Sequence, residues 1–145
     1  MSAPTPREAI AELAHRYSDA VVYRDLEKWG ACWAEDSRWV LSPKRTVSGR
    51  AAIIELWRSS VAQFRAIVQV THNGEVHVDG DAGTGRWYIS EHYLRADGAP
   101  GILLAHYDDS YACIDGSWLF TSRALVVQYI GAPDLSGAFL NDTER

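Results

Sequence analysis

The first part of the chain repeats its apolar residues with the period of an amphipathic helix. The repeating positions are Ile10, Leu13, Ala14, Tyr17 and Val21. Steps of three and four residues place them on one face of a helix, with polar residues on the other face. Thr5 before this stripe is a suitable N-cap, Pro6 fits the first helical position, and Glu8 completes a capping box. The pattern therefore predicts a long N-terminal helix that begins after Thr5.

Two shorter helices are predicted to follow. Asp25 is a suitable N-cap for the first of them. Its apolar stripe would contain Leu26, Trp29 and Trp33. The dipeptide Ser48–Gly49 precedes the second one. Its buried stripe would contain Ile53, Ile54, Trp57, Val61 and Phe64. A brief strand at 39–41 is predicted between the two helices.

From about residue 66 the apolar period changes from that of a helix to that of a strand. The predicted strands are 66–78, 83–95, 101–113 and 117–129, separated by turns at 79–81, 96–98 and 115–116. Long strands joined by tight turns predict an antiparallel meander. Helices followed by such a sheet predict an α+β fold. The tail, 131–145, is expected to run over the surface or over a neighbouring subunit.

One histidine interrupts the apolar positions of the first long strand, VQVTHNGEVHV. If that strand is unbroken, His72 points to the same face as four valines, and His77 points to the opposite face. The valines are Val68, Val70, Val76 and Val78. Two readings of His72 stay open: a core histidine satisfied by a hydrogen bond, or an acid–base group in a pocket.

Composition and charge narrow the class of protein. The 145 residues, 47% hydrophobic and 23% charged, are typical of one globular domain spanning 1–145. A net charge of −5 and scattered basic residues argue against a nucleic-acid partner. No signal peptide is evident, and no apolar run approaches the ~20 residues that cross a bilayer. We therefore expect a cytoplasmic protein without a membrane partner.

The chain shows no pattern that calls for a bound metal or cofactor. Cys32 and Cys113 are far apart and lie among apolar neighbours, so both are expected to be free thiols. The histidines have no metal-ligand spacing on a helix, and no glycine-rich phosphate loop leads from a strand into a helix. We expect neither a metal nor a cofactor.

Several stretches together resemble the SnoaL-like branch of the NTF2-like superfamily. They are YSDAVVYRDLEKWGACWAEDSRWVL, GDAGTGRWYISE and YDDSYACIDGSWLFTSR. The resemblance covers roughly 7–130 and leaves the tail outside. It implies a cone-shaped α+β fold in which a bent antiparallel sheet wraps the long N-terminal helix and encloses a pocket. It also implies a small-molecule ligand and a homodimer or homotrimer.

The resemblance also implies roles for particular residues. His72 matches the histidine that serves family enzymes as general base. Arg123, five residues after Trp118, matches a pocket arginine that could polarise a leaving group or hold an oxyanion. An ion pair of Arg123 with Asp108, Asp109 or Glu91 is the alternative.

The acidic partner of the histidine is not at the expected place. A gapless match puts Val22 where the family has its aspartate. Asp25, close to one helical turn later, and Asp109, on the sheet, are the two candidate carboxylates. The remaining residues expected to contact substrate are Tyr17, Tyr88, His92, Leu103, Tyr107, Leu125 and Val127.

These expectations favour a cofactor-independent lyase or isomerase. Its substrate would be a small, mostly apolar cyclic molecule, from which His72 removes a proton inside an enclosed pocket. The alternative is a non-catalytic ligand-binding or accessory protein, which the missing aspartate favours.

Overall fold

Three helices and a six-stranded sheet form the described part of the chain, residues 2–144 of a computed structural model. The helices are α1 (Pro6–Tyr23), α2 (Leu26–Gly30) and α3 (Arg50–Val61). The strands are β1 (Trp33–Ser42), β2 (Arg45–Ser48), β3 (Phe64–Asp79), β4 (Ala82–Arg95), β5 (Pro100–Ile114) and β6 (Ser117–Gly131). The predicted α+β class is confirmed.

The sheet has the order β2-β1-β6-β5-β4-β3. Strands β3 to β6 form the predicted antiparallel meander, and β1 joins it by pairing parallel to β6. The sheet is bent and does not close on itself. Helix α1 lies in its concave face, where it contacts β3 and β6. No helix between residues 2 and 144 has the length and hydrophobicity that crossing a bilayer requires.

Local sequence signals set the ends of α1. The Thr5 hydroxyl accepts a hydrogen bond from the Glu8 backbone N–H at 3.2 Å, and the Glu8 carboxylate accepts one from the Thr5 N–H at 2.7 Å. The helix ends at Tyr23, and its C-cap residue, Arg24, adopts a left-handed conformation with φ of 54°. The predicted apolar stripe is buried along its whole length. Helix α1 therefore presents Tyr17 to the interior of the cone.

Four tryptophans pack where α2, α3 and β1 meet. The Trp29 and Trp57 rings stack at 4.5 Å, and Trp33 and Trp39 contact Trp29 at 5.6 and 5.4 Å. Trp33 was expected on the second helix, but α2 ends at Gly30, so Trp33 begins β1 instead. Its ring still reaches the same cluster, which closes one side of the interior.

A register shift between Thr71 and Gly74 interrupts β3. Before the shift, Val68 and Val70 are 47% and 43% exposed on the convex face, whereas Val76 after it is buried. A bulge changes which parity of residues faces inward, because side chains alternate along a strand. The expectation that the four valines share one face is therefore wrong.

Loss of the central tryptophan should destabilise the fold strongly. Trp29 is fully buried and contacts three other tryptophans, so Trp29→Ala should lower the free energy of unfolding by about 3–5 kcal/mol. Urea denaturation measures this change. Tyr23→Ala, at the 77%-exposed end of α1, is the control and should change the value by less than about 0.5 kcal/mol. Equal losses in the two variants would contradict a cluster-based core.

Candidate functional site

A small cavity lies between α1, α3 and the concave face of the sheet. Its volume is about 140 Å³. The lining residues are Tyr17, Val21, Trp39, Trp57, Ser60, Val61, Phe64, Ile67, Gln69, Glu91 and Tyr107. Most of the wall is aromatic or aliphatic, and the polar groups come from α1, α3 and strands β3 to β5. A cavity of about 150 Å³ holds a benzene-sized molecule, so this one fits a single six-membered ring.

The carboxyl group in this wall belongs to Glu91. Glu91 on β4 is directly across from Gln69 on β3, and Gln69 Nε2 donates a hydrogen bond to Glu91 Oε1 at 2.7 Å. Burial raises the pKa of Glu91, and the bond from Gln69 offsets only part of that rise. Glu91 therefore holds its proton to a higher pH than an exposed glutamate does.

Gln69 is itself held from the helix side. Ser18 on α1 donates to Gln69 Oε1 at 2.8 Å, and its hydroxyl lies 2.6 Å from that of Thr71. Gln69 is 4% exposed and Ser18 is 6% exposed. The polar edge of the cavity is thus fixed to both the helix and the sheet.

Two tyrosine hydroxyls meet at the cavity. Tyr17 from α1 and Tyr107 from β5 approach to 3.5 Å between their oxygens. Burial raises the pKa of Tyr107 to about 12 and raises the pKa of Tyr17 well above its ordinary value. Both hydroxyls therefore stay protonated at neutral pH and can donate hydrogen bonds to a ligand.

Arg123 lies behind the two tyrosines rather than in the cavity wall. Its guanidinium carbon is 4.4 Å from the Tyr17 ring centre, 3.8 Å from Tyr107 and 4.1 Å from Phe120. Both Arg123 and Tyr107 are buried, so this contact is a desolvated cation–π interaction.

Asp109 neutralises that guanidinium. Arg123 Nε and Nη2 donate to the two Asp109 oxygens at 2.8 and 3.1 Å, and Tyr111 also donates to Asp109 at 2.8 Å. Burial alone would lower the pKa of Arg123, but Asp109 more than offsets it, so the guanidinium stays charged. Of the two interpretations of Arg123, the structure shows the ion pair, with Asp109 as the partner.

Comparison with known families matches the SnoaL-like domain to residues 5–124 of this sequence. The chain belongs to the SnoaL-like domain family. The resemblance seen in the sequence is thereby confirmed. No curated protein matches the chain.

Solved structures with the same fold align with 90% or more of the SnoaL-like chain. A candidate scytalone dehydratase from Novosphingobium aromaticivorans is 22% identical with a TM-score of 0.81, covering 96% of this chain and 93% of its own. The LinA-type3 hexachlorocyclohexane dehydrochlorinase from Novosphingobium barchaimii is 20% identical with a TM-score of 0.80, covering 92% of each. A Mycobacterium tuberculosis protein of unknown function is 26% identical with a TM-score of 0.75, covering 90% and 79%. These similarities establish the NTF2-like fold.

The expected general base of this SnoaL-like protein lies outside its cavity. His72 is exposed on the convex face, where its Nε2 is 2.9 Å from the Ser90 hydroxyl. The expectation that it shares an enclosed hollow with Arg123 is wrong. Gln69 and Thr71 point inward on the segment of β3 that precedes the bulge between Thr71 and Gly74, so alternation turns His72 outward. His72 cannot reach a molecule held in this cavity.

Other expected site residues also lie elsewhere. Tyr88 and His92 are exposed on the convex face, because the inward positions of β4 are those of Trp87, Ile89 and Glu91. Their expected place in the pocket is wrong, since side chains alternate along the strand.

Asp25 is a helix cap and not a partner of His72. It is exposed, and its carboxylate accepts a hydrogen bond from the Lys28 backbone N–H at 3.0 Å. The other candidate carboxylate, Asp109, is committed to Arg123. Within residues 2–144, no group of three or more His, Cys, Asp or Glu side chains could hold a metal ion.

The remaining expected contacts fall into two groups. Tyr17 and Tyr107 line the cavity. Leu103, Leu125 and Val127 belong to the packed interior but not to the cavity wall.

Sequence reasoning did not single out Gln69 and Glu91 as site residues. Gln69 shares its predicted strand face with Thr71 and His77, and polar residues of this kind are typical of a solvated face. The apolar Ile67 on the same parity was the available signal that this face is buried. Trp57 was predicted only as part of the buried stripe of the third helix and Trp39 only as part of a brief strand, and no role was predicted for Ser60.

The charge on Glu91 should cost stability at neutral pH. Since burial raises its pKa in the folded chain, protonation favours folding, and this contribution is lost as pH rises through the folded-state pKa. We expect Glu91→Gln to raise the melting temperature at pH 7 to 8, with the gain shrinking below about pH 4, where unfolded glutamate is protonated. Thermal melts across this range measure it. Glu12→Gln, at an exposed position, is the control. If Glu91→Gln raised the melting temperature by the same amount at every pH, the gain would not come from the charge on Glu91.

Proposed function

We propose that this SnoaL-like protein is a cofactor-independent lyase or isomerase whose proton-transfer group is Glu91. Its substrate is a small, mostly apolar, single-ring molecule, and we expect it to act in the cytoplasm. The observation that carries the proposal is the position of the Glu91 carboxyl in the cavity wall, beside two tyrosine hydroxyls. Among the lining residues within 2–144, Glu91 alone carries a carboxyl.

The environment of Glu91 suits a general base or acid. Efficient proton transfer requires a pKa closer to the working pH than that of a free glutamate, and burial moves Glu91 in that direction. Enolisation can be catalysed by a carboxylate that removes the proton and a tyrosine hydroxyl that donates a hydrogen bond to the oxyanion. Tyr107 and Tyr17 remain protonated, so either can supply that donor.

The reaction balances without any further group. Glu91 takes a proton from a ring carbon next to a carbonyl, and a tyrosine hydroxyl donates a hydrogen bond to the oxygen that gains charge. If Glu91 returns the proton to another carbon, the molecule is isomerised. If the carbon next to the one that lost its proton carries a hydroxyl group, Glu91 gives its proton to that hydroxyl as the double bond forms, and water leaves. If that carbon carries a halogen, halide leaves and Glu91 releases its proton to solvent; both cases are eliminations.

The size of the cavity and the names of its structural relatives agree with this choice of substrate. About 140 Å³ between the Trp39, Trp57 and Phe64 rings accepts one ring and little more. Two proteins of the same fold are named as a dehydratase and a dehydrochlorinase, and both names describe eliminations. Those names support a lyase for this chain without specifying its substrate.

A non-catalytic binding protein is the second candidate. The exposed position of His72 and the neutralisation of Arg123 by Asp109 favour it, because neither group can act on a ligand in the cavity. The two candidates differ in the effect of Glu91→Gln. That variant should lose turnover in an enzyme, while in a binding protein there is no turnover to lose.

Replacement of Glu91 should abolish most proton transfer. We expect Glu91→Gln to lower the rate of α-proton exchange by about 10²- to 10⁴-fold, because the amide cannot accept a proton from carbon. The measurement follows deuterium uptake from D₂O into cyclohexanone and 2-cyclohexenone, and release of water or halide from their 3-hydroxy and 3-chloro derivatives, by proton NMR.

His72→Ala is the matched control for that experiment. It removes the expected base, which lies on the convex face, and should leave the exchange rate within about twofold of wild type. Exchange that survives Glu91→Gln but not His72→Ala would reverse the assignment. Wild-type protein that binds these rings without exchanging their protons would identify a binding protein.

We also propose that the convex face of the sheet joins two or three copies of the chain. Val68 and Val70 on β3, Tyr88 on β4 and Val126 on β6 are each at least 38% exposed there. Exposed apolar groups on one face of a sheet are typical of an interface.

A charge on that face should dissociate the oligomer. We expect Val70→Lys to sediment as a monomer, since an unpaired ammonium is costly to bury. Tyr23→Lys, at the 77%-exposed end of α1, should leave the wild-type state unchanged. Analytical ultracentrifugation distinguishes the species, and a monomeric wild type would end this proposal.

A further inference from the structure

The mouth of the cavity lies where α3 leads into β3. Most of the lining residues are buried, but Ser60, Val61, Phe64 and Glu91 are half-buried. The connection between α3 and β3, residues 62–63, is exposed. A molecule that enters the cavity at this connection passes Phe64, so any part of it that remains outside lies beside that residue.

Two arginines from different elements converge on Phe64. Arg24, the C-cap residue of α1, donates a hydrogen bond from Nη2 to the Phe64 carbonyl oxygen. Arg95, directly across from Phe64 in the pairing of β3 with β4, places its guanidinium carbon 5.4 Å from the centre of the Phe64 ring. The Ala96 backbone N–H donates to the Gln63 carbonyl at 2.9 Å, which holds the end of β4 beside the mouth.

These two guanidinium groups have no carboxylate partner. Among the residues between 2 and 144, neither Arg24 nor Arg95 forms an ion pair. The carboxylate of Asp97 accepts instead from the Ala99 backbone N–H at 2.9 Å, and that of Asp25 caps α2. Both arginines are exposed, although the chain carries a net charge of −5. Their remaining N–H groups are therefore available to an anion from solvent.

Two unpaired cations beside one opening favour a ligand with a negative charge. A concentration of one sign of charge at a cleft raises the local concentration of ligands of the opposite sign. A guanidinium holds a carboxylate or a phosphate through charge-assisted hydrogen bonds, in a geometry that an ammonium does not provide.

We propose that Arg24 and Arg95 form an anion-binding subsite at the mouth, so that the ligand is a single ring carrying a carboxylate or a phosphate. The inference rests on the proposed function, because it assumes that the ring occupies the cavity beside Glu91, and it specifies the class of substrate further. The ring contacts the apolar wall, and the acidic group stays outside, beside Phe64. The two arginines bind and orient the ligand and take no part in proton transfer.

The cost of burying charge places the anion at the mouth and not inside the cavity. Burial already raises the pKa of Glu91, so the interior disfavours a negative charge. The buried cation behind the wall, Arg123, is neutralised by Asp109. At the mouth the anion keeps part of its hydration and gains the two exposed arginines.

Ligand binding to the full-length chain tests the subsite without requiring turnover. The probes are phenylacetate, benzyl phosphate and neutral phenylacetamide, which share one ring, and isothermal titration calorimetry measures their affinities. At low ionic strength we expect wild type to bind at least one of the anions about tenfold more tightly than the amide. The preference should shrink in about 0.5 M salt, since exposed charges are screened. The anion with the larger preference identifies the group that the arginines hold.

Substitution of both arginines should remove that preference. We expect the double variant Arg24→Gln, Arg95→Gln to bind the anions no more tightly than the amide, while its affinity for the amide stays within about twofold of wild type. The double variant Arg24→Lys, Arg95→Lys keeps both charges and should retain part of the preference, which a merely structural role would not produce. Arg7→Gln is the matched control, because it removes one exposed arginine at the opposite end of α1.

Equal affinities of wild type for the anions and the amide would overturn the subsite. It would also be overturned by a preference that survives in the double glutamine variant, by an equal loss in Arg7→Gln, or by a wild type that binds none of the probes. If the preference is present but Glu91→Gln keeps full exchange activity, the subsite stands and the catalytic proposal fails. If Glu91→Gln loses exchange while wild type shows no preference, Glu91 is the proton-transfer group and the subsite is wrong.

Discussion

The bulge in β3 between Thr71 and Gly74 determines which side chains face the interior of the cone. Ahead of it Gln69 and Thr71 point inward, and beyond it Val76 does. The ring of Trp87 packs against Gly74, where any larger side chain would collide with it. The bulge therefore combines a polar inward segment near the cavity with an apolar one farther along the same strand, which a regular strand of this sequence could not provide.

The packing around the Arg123 guanidinium gives this residue a structural role and keeps it out of contact with a ligand in the cavity. A buried cation is tolerated only when it is paired, and Asp109 pairs with it through two hydrogen bonds. The rings of Tyr17, Tyr107 and Phe120 cover it. The same contacts hold the two tyrosines in place, so Arg123 shapes the cavity from behind.

Much of the fold could be predicted because its signals are local. The Thr5–Glu8 capping box and the Asp25 cap lie within a few residues of the helices they begin. The inward positions of β5, including Tyr107 and Asp109, follow simple alternation because β5 pairs with β4 without a register break.

The site was harder to predict because its determinants are not local. Both parities of β3 contain apolar residues ahead of the bulge, so alternation alone could not say whether Val70 or Gln69 faces inward. The bulge itself depends on how Gly74 meets Trp87 across the sheet. The match of His72 to the family base concerned its position along the chain, while the direction of its side chain depends on this register.

The fully buried carboxylate of Asp109 and the partly buried carboxylate of Glu91 differ in what they are free to do. Both Asp109 oxygens accept hydrogen bonds from Arg123, and Tyr111 adds another, so taking up a proton would break an ion pair. Among residues 2–144, Glu91 has one amide donor and no cationic partner, and it borders a cavity large enough for a ring. Burial raises the pKa of both groups, but only Glu91 can change its protonation state without disrupting the core. That difference is the reason why we propose Glu91, and not Asp109, as the proton-transfer group.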